Sequence, residues 1–420
     1  MKINKQRESC GVCKNKDLEE IINFGKVPLA GDFPNKSELK QEGLSGLRLL
    51  LCERCGLLQT DTIIDPSRLF SDYRYKSSIG LAKHFKGLAD LLVKRFSLNE
   101  TSNVLDIGSN DNPLLKPLKE LGVKHVNGID PATNIVDSVK EDGIAVINDF
   151  FGEATAKKHY TRGVFDLITC NNCFAHIEDL NSVVRGLKYC LKEGGDFVFE
   201  VAYVKDTIDQ LQWPNIYHEH IYYHSLTDLV SLFNMNGMTV VDFDEIPIHS
   251  GSIRVYVKND KSSIVPRKVM TRLYKEQIEW KITSKGYMKE FSKAVRGNAQ
   301  QLLNLIGNIK AIEKKRIVGY GASGRANMIC NASHINTFMV DYIVDESPER
   351  EGRFTSKTHI PIVKKSKLDN DDPDYIILFA SNFAKMIMEK LKDRNFKYII
   401  PFPKWTVIES IDELENYNSI

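Results

Sequence analysis

The stretch VLDIGSND, residues 104–111, decides the fold. A short apolar strand runs into aspartate, glycine and serine, and the LLKPLKELG that follows carries helical spacing. The same alternation then repeats. VNGID (126–130), FDLITC (165–170) and GGDFVFEVA (194–202) read as further buried strands, each separated from the last by a helical stretch. Strands alternating with helices imply a parallel sheet with its ligand at the carboxyl ends of the strands. A glycine turn after the first strand lets a ligand approach the backbone, and an acid ending the second strand can accept both ribose hydroxyls. Asp130 stands 24 residues after Asp106 and fills that place. These features suit a nucleoside cofactor. The loop is DIGSND rather than G-x-G-x-x-G, so a pyrophosphate seated on this helix is poorly supported. Asp106, Gly108 and Asp130 instead follow an E/D-x-G-x pattern with an acid closing the next strand.

At 420 residues the chain is too long for one compact core, and two or three domains are expected. A formal net charge of +2 argues against a protein built to bind nucleic-acid backbones. No window of about eighteen apolar residues exists, which excludes a spanning helix. MKINKQRESC lacks the apolar core of a signal peptide, so a cytoplasmic location without membrane association is expected.

Thiols stay reduced in that compartment, and the eight cysteines need another explanation. CGVC (10–13) and CERC (52–55) are two C-x2-C knuckles separated by 38 residues. Two such turns bring four thiolates onto one tetrahedral metal, and Gly11 and Gly56 supply the tight backbone that knuckles favour. Cys10, Cys13, Cys52 and Cys55 are therefore expected to hold a structural zinc ion, with no ligand position left open for catalysis. The loop between the knuckles is mixed in charge and lacks a basic-aromatic stripe, so nucleic-acid binding is the weaker reading. Cys170 and Cys173 have no partner pair and read as packing.

PNIYHEHIYYHS (214–225) holds three histidines, three tyrosines and a glutamate in twelve residues. Such density fits a metal site built from alternating His218 and His220 with His224, a polar surface, or acid–base machinery. Further on, RIVGYGASGRANM (316–328) reads strand, glycine loop, helix, with Gly319, Gly321 and Gly324 satisfying G-x-G-x-x-G and Asp345 ending a following strand. That is the dinucleotide fingerprint, which makes an NAD-dependent nucleotide-sugar oxidoreductase one alternative. The same loop would also cradle the diphosphate of a nucleotide sugar. A non-catalytic zinc-ribbon adaptor is a second alternative.

Several motifs in order span nearly the whole chain: the two knuckles, YRYKSS (73–78), VLDIGSNDN, NNCFAHIEDL (171–180), YHEH (217–220), HSGSIRVY (249–256), GYGASGR (319–325) and VDESPEREGRFTSKTHIPI (344–362). Together they resemble the sugar C-methyltransferases that methylate C3 of nucleotide-linked 4-keto-deoxysugars. The resemblance implies an α/β chain with an N-terminal zinc-binding module (1–75), a class I S-adenosylmethionine methyltransferase domain of Rossmann-like fold (76–205), and a C-terminal Rossmann-like domain (206–420) that opens on the YHEH segment. The active site is expected between the last two. It further implies that His220 is the base, that Glu219, Tyr217, His176 and Tyr75 surround the reacting carbons, and that Asp106, Gly108, Asp130 and Asn171 bind S-adenosylmethionine. Gly321, Ser323, Arg325 and His249 are then expected to bind the nucleotide-diphosphate 4-keto-sugar. A proton alpha to a ketone needs a base of near-neutral pKa, and donors at the ketone oxygen stabilise the enolate, which favours carbon methylation. The chain departs from the family at Asn112 and Ser250, where glycine is common, and at Arg325, where lysine is frequent. Asparagine tolerates left-handed backbone, so the cofactor loop is expected to survive. The sequence leaves the particular sugar, its nucleotide and the oligomeric state open.

Overall fold

The computed structural model describes residues 5–71, 76–140, 143–402 and 404–418. Its packing divides the chain into two compact units, the first of residues 1–19, 50–206 and 220–287, the second of residues 20–49, 207–219 and 288–420. The segment between the knuckles is thus grouped with the C-terminal part of the chain rather than with the cysteines that flank it.

The first unit is built on a seven-stranded sheet. Strands β1 (Asn103–Ile107), β2 (His125–Ile129), β3 (Ala145–Ile147), β4 (Phe165–Asn171) and β5 (Leu191–Ala202) lie parallel in the order 3-2-1-4-5. Two more strands, β6 (Thr239–Ile246) and β7 (Ser252–Lys258), complete the order 3-2-1-4-5-7-6, with β7 antiparallel to both β5 and β6. The four strands read from the sequence are β1, β2, β4 and β5. The sheet continues past residue 205, where the sequence boundary was drawn, because the hairpin of β6 and β7 returns after the YHEH segment.

Side chains alternate across the sheet, so each face has its own cover. Helix α1 (Ser78–Phe96) lays Phe85, Leu88, Ala89 and Leu92 over Val104, Leu167, Val198 and Tyr256. On the opposite face Leu105, Ile107, Ile168, Phe197 and Phe199 pack in one core with residues of α2 (Leu180–Cys190) and α3 (Leu226–Met235). The first amides of a helix lack intrahelical partners. At α3 the fully buried Glu276 supplies them, accepting from the amides of Leu226 at 3.0 Å and Thr227 at 2.8 Å. The Tyr203 hydroxyl donates to the same carboxylate at 2.5 Å.

The second unit carries a six-stranded sheet of β8 (Ile317–Tyr320), β9 (Ile343–Val344), β10 (Ile362–Val363), β11 (Tyr375–Leu378), β12 (Lys397–Ile400) and β13 (Thr406–Ile408). Its order is 10-9-8-11-12-13, parallel except for the last strand. Helix α4 (Gly324–Ala332) follows β8 through the glycine loop. Elsewhere in this unit the buried carboxamide oxygen of Asn298 accepts from the indoles of Trp213 at 2.9 Å and Trp405 at 3.0 Å. Among the described residues no helix is long and apolar enough to cross a membrane.

Candidate active site

The four knuckle cysteines converge as expected. Their sulfurs lie within 4.8 Å of one another, with Cys10–Cys55 and Cys13–Cys52 both at 3.5 Å. Four sulfurs each about 2.3 Å from a tetrahedral zinc would stand about 3.8 Å apart, so the donor set fits that ion. Gly56 turns with φ 80° and donates its amide to the Cys52 carbonyl at 2.8 Å. Gly11 is needed for a different reason: a Cβ there would lie 2.1 Å from the Tyr222 hydroxyl. Lys14, not Gly11, supplies the left-handed turn of the first knuckle, at φ 59°.

The loop after β1 is wound by left-handed residues at Gly108 (φ 69°), Asn110 (φ 46°) and Asn112 (φ 60°). Asn112 adopts the conformation that glycine would otherwise provide. Asp111 and Asn110 tie the loop to the start of α1, accepting from the Ser78 amide at 3.1 Å and the Ser77 amide at 2.9 Å. Asp130, at the end of β2, accepts the amides of Asn110 at 2.9 Å and Ala132 at 2.8 Å. Asp106 accepts from the Thr169 hydroxyl at 2.6 Å and faces the Asn171 carboxamide at 3.5 Å. Burial, opposed by the Thr169 bond and reinforced by the nearby Asp130 charge, pushes the Asp106 carboxyl up to about 7. The Asn171 carboxamide oxygen is buried without a hydrogen-bond partner. Uncompensated acceptors beside a buried carboxylate suit a cationic ligand group, which S-adenosylmethionine has in its amino-acid end. Cys170 and Cys173 form no metal cluster among the described residues; Cys173 packs beneath Gly108, where a Cβ would lie 2.7 Å from its sulfur.

The histidine-rich segment separates. His218 is fully buried with Nε2 3.0 Å from the Gly46 carbonyl, and His224 is buried with Nδ1 2.6 Å from Asp228. Tyr222 donates to the Glu178 carbonyl at 2.6 Å. Neither His218 nor His224 joins a metal-ligand group among the described residues, which removes the metal-site alternative. His220 instead faces His176, with ring centroids 4.8 Å apart in the first unit. His176 is carried on a single 3-10 turn, Phe174–His176, directly after β4.

Tyr217 and Glu219 belong to the second unit. Glu219 meets the 30–32 loop there: a Cβ at Gly31 would lie 3.1 Å from its Oε1, and the Gly31 amide donates to it. Burial first, and the Asp32 charge second, push the Glu219 carboxyl up to about 7 against the opposing pull of Arg350. Arg350 itself lies 3.8 Å over the Phe33 ring. Tyr217 packs beside Ala30 and Met328 and feels the charge of Arg325, whose own pKa burial depresses. Arg325 donates to Asn382 at 3.3 Å, and Ser323 caps α4 by accepting the Ala326 amide at 3.3 Å. Gly321 has φ 92° and sits where a Cβ would be 2.4 Å from the Ala380 Cβ. Both Asp345 oxygens already accept amides, from Ala322 at 2.7 Å and Ser347 at 2.9 Å.

His249 lies in the first unit, on the turn between β6 and β7, rather than with the C-terminal glycine loop. It is exposed, with φ 50°, and opens a left-handed run with Ser250 (φ 65°) and Gly251 (φ 109°). Tyr75 lies outside the described residues. The sequence reading missed Gly31 and Asp32, which no spacing links to Glu219. Arg350 did have a signal, since it stands within the VDESPEREGRF motif.

Three family descriptions match the chain in succession: a putative zinc binding domain over residues 10–70, a methyltransferase domain over 81–242, and a C-methyltransferase C-terminal domain over 247–403. The C-methyltransferase NovU of Streptomyces niveus is 29% identical over 413 residues, covering 96% of this chain and 97% of that protein. The chain is an S-adenosylmethionine-dependent C-methyltransferase. The enzyme has a class I methyltransferase fold and a structural zinc site. Among solved structures, a putative methyltransferase complex with the Trm112 activator from Haloferax volcanii aligns over 44% of the enzyme and 97% of that chain at 15% identity and a TM-score of 0.36. A putative S-adenosylmethionine-dependent methyltransferase from Listeria monocytogenes aligns over 42% of the enzyme and 98% of that chain at 14% identity and a TM-score of 0.35.

Proposed function

We propose that the enzyme removes the C3 proton of a nucleotide-diphosphate-linked 4-keto-deoxysugar and methylates the carbon of the resulting enolate. The observation that carries this reading is the pairing of His220 with His176 at 4.8 Å within the unit that holds the donor loop. Methyl transfer to an amine that is already nucleophilic needs no such pair, whereas carbon methylation must first take a proton from carbon. S-adenosylmethionine, when bound, supplies the electrophilic methyl group.

His220 takes the proton, and His176 keeps the imidazole oriented. Glu219, the neighbour of His220 in sequence, holds its carboxyl proton near neutral pH. It therefore donates to the C4 oxygen instead of repelling the charge that develops there. Tyr217 and Tyr75 offer phenol donors to the same part of the substrate, each donor being worth a factor of about 10² to 10³. Asp106, Gly108, Asp130 and Asn171 hold the donor. Gly321, Ser323 and Arg325 receive the diphosphate at the start of α4, and His249 contributes to the sugar site. The relative's designation as a C-methyltransferase supports the reaction class. A cytoplasmic setting belongs to the same proposal, since a zinc tetrathiolate persists where thiols stay reduced.

The test is NMR of the protein with dTDP-4-keto-6-deoxyglucose and S-adenosylmethionine in D2O, beside His220→Ala. A new C-methyl singlet that the variant loses supports both the reaction and the base. Deuterium entering C3 without methylation keeps the base and rejects this sugar. If neither occurs across several nucleotide 4-keto sugars, the substrate class is wrong.

A further inference from the structure

One face of the first sheet ends in a polar row of which the proposed reaction uses only Asp106 and Asn171. Register fixes its members. Asp106 pairs with Thr169, Asn171 pairs with Glu200, and Glu200 pairs with Arg254. Paired residues point to the same side, as do residues two apart on a strand, so Asp106, Asn171, Glu200 and Arg254 all project from one face. That is the face covered by α1. Glu200 is fully buried, and its Oε1 takes two bonds from Arg254, Nε at 2.8 Å and Nη2 at 2.7 Å. Its Oε2 lies 2.7 Å from Nε2 of His84, which α1 brings over the row from above. The His84 side chain stays 17% exposed, so the buried pair holds a ring that is still reachable.

We propose that His84, fixed by the Glu200–Arg254 pair, is a further donor-binding residue that accepts a hydrogen bond from the amino group of the donor's amino-acid end. The geometry assigns the end of the ligand. Asp130 at β2 is where ribose hydroxyls are received, and neighbouring strands stand about 4.8 Å apart. A donor extending from there along the carboxyl edge passes β1 and β4 and brings its amino-acid end toward β4 and β5. The chemistry assigns the group. A carboxylate paired with a guanidinium only accepts, so Nε2 of His84 donates to Glu200 and Nδ1 is the ring nitrogen left to meet a ligand. Nδ1 has no partner among the described residues. With the Asp106 carboxyl and the unpartnered Asn171 oxygen it makes a third acceptor, and three acceptors match the three donors of an ammonium. Glu200 and Arg254 are positioning residues. The inference rests on the donor-site assignment of Asp106 and Asn171, and not on the identity of the sugar.

The test uses the full-length protein and no sugar. Calorimetry compares S-adenosylhomocysteine with its deamino analogue, which keeps the carboxylate and lacks the amino group. His84→Ala is expected to weaken S-adenosylhomocysteine by about ten- to a hundredfold and to leave the analogue within about twofold, since one charge-assisted bond is lost. His84→Gln is expected to recover part of that loss, its amide oxygen serving as the acceptor. Glu200→Gln should reproduce the selective loss, and the double variant should add little, because both act through one ring. Equal weakening of both ligands would make His84 a scaffold residue and overturn the proposal, as would no change in either. If the wild-type protein bound neither ligand, the donor-site assignment itself would fall, whatever the sugar experiment gives.

Discussion

On the donor-site assignment proposed above, Asp106 should make donor binding depend on pH near neutrality, well above the range in which an ordinary carboxylate titrates. Burial lifts its carboxyl from 3.8 to about 7, with the Asp130 and Glu200 charges adding to the effect. At about 1.36 kcal/mol per unit, ionising Asp106 in the unliganded protein costs about 4 kcal/mol relative to the unfolded chain. Between those two pKa values the unfolded state binds fewer protons, so this group's contribution to stability is present below pH 3.8 and is lost as pH rises through 7. A cationic ligand reverses the preference, because it binds the carboxylate and must expel the proton. Affinity for S-adenosylhomocysteine is therefore expected to be flat above pH 7 and about tenfold weaker at pH 6 than at pH 8. Calorimetry in buffers of different ionisation enthalpy should register nearly one proton released at pH 6 and almost none at pH 8. Asp106→Asn should bind weakly at every pH, release no proton, and resist urea better than the wild type at pH 8 without ligand. Thr169→Val removes the bond that favours the ionised form, so the midpoint should move upward. Wild-type affinity that does not change from pH 5.5 to 8.5, or the same pH dependence persisting in Asp106→Asn, would refute the reasoning.

Other outcomes follow from single contacts. Cys52→Ser should abolish stoichiometric zinc, read by metal analysis, and lower the thermal midpoint, because a structural tetrathiolate site contributes directly to folding. Asn298→Leu strands two buried indole N–H groups and should cost about 2–6 kcal/mol in urea denaturation, with Trp405→Phe in the same background returning part of it. Asp32→Asn removes a charge that raises the Glu219 carboxyl, so the alkaline limb of the kcat profile should move to lower pH. A limb that stays in place would take Glu219 out of the protonation that limits turnover.

What the sequence made legible was local. β1, β2, β4 and β5 announced themselves because each carries a short apolar run, the first two closed by Gly108 and Asp130, and the knuckles because two thiolates on one turn leave few other uses. β6 and β7 were harder, since an antiparallel hairpin that returns to a parallel sheet after a long excursion carries no signal of its destination. The histidine-rich segment shows why density in sequence is a poor measure of a site. His218 and His224 are as close to Glu219 in the chain as many partners are in a binding site, yet Gly46 and Asp228 each hold one nitrogen of these rings in the interior. Tyr217, Glu219 and His220, the residues of the segment used in the proposed chemistry, differ from these two in burial, which no spacing rule reports. The converse holds for Asp32 and for the Glu200 row. Asp32 reaches Glu219 from a loop between the knuckles, and Glu200 meets Arg254 through strand register and His84 through helix packing. Each is a charge whose meaning depends on its neighbour across the fold. Charged residues inside a strand pattern are therefore worth following across their paired strands. A fully buried Glu200 requires partners, and finding them leads to His84, the more exposed of the two side chains that hold it.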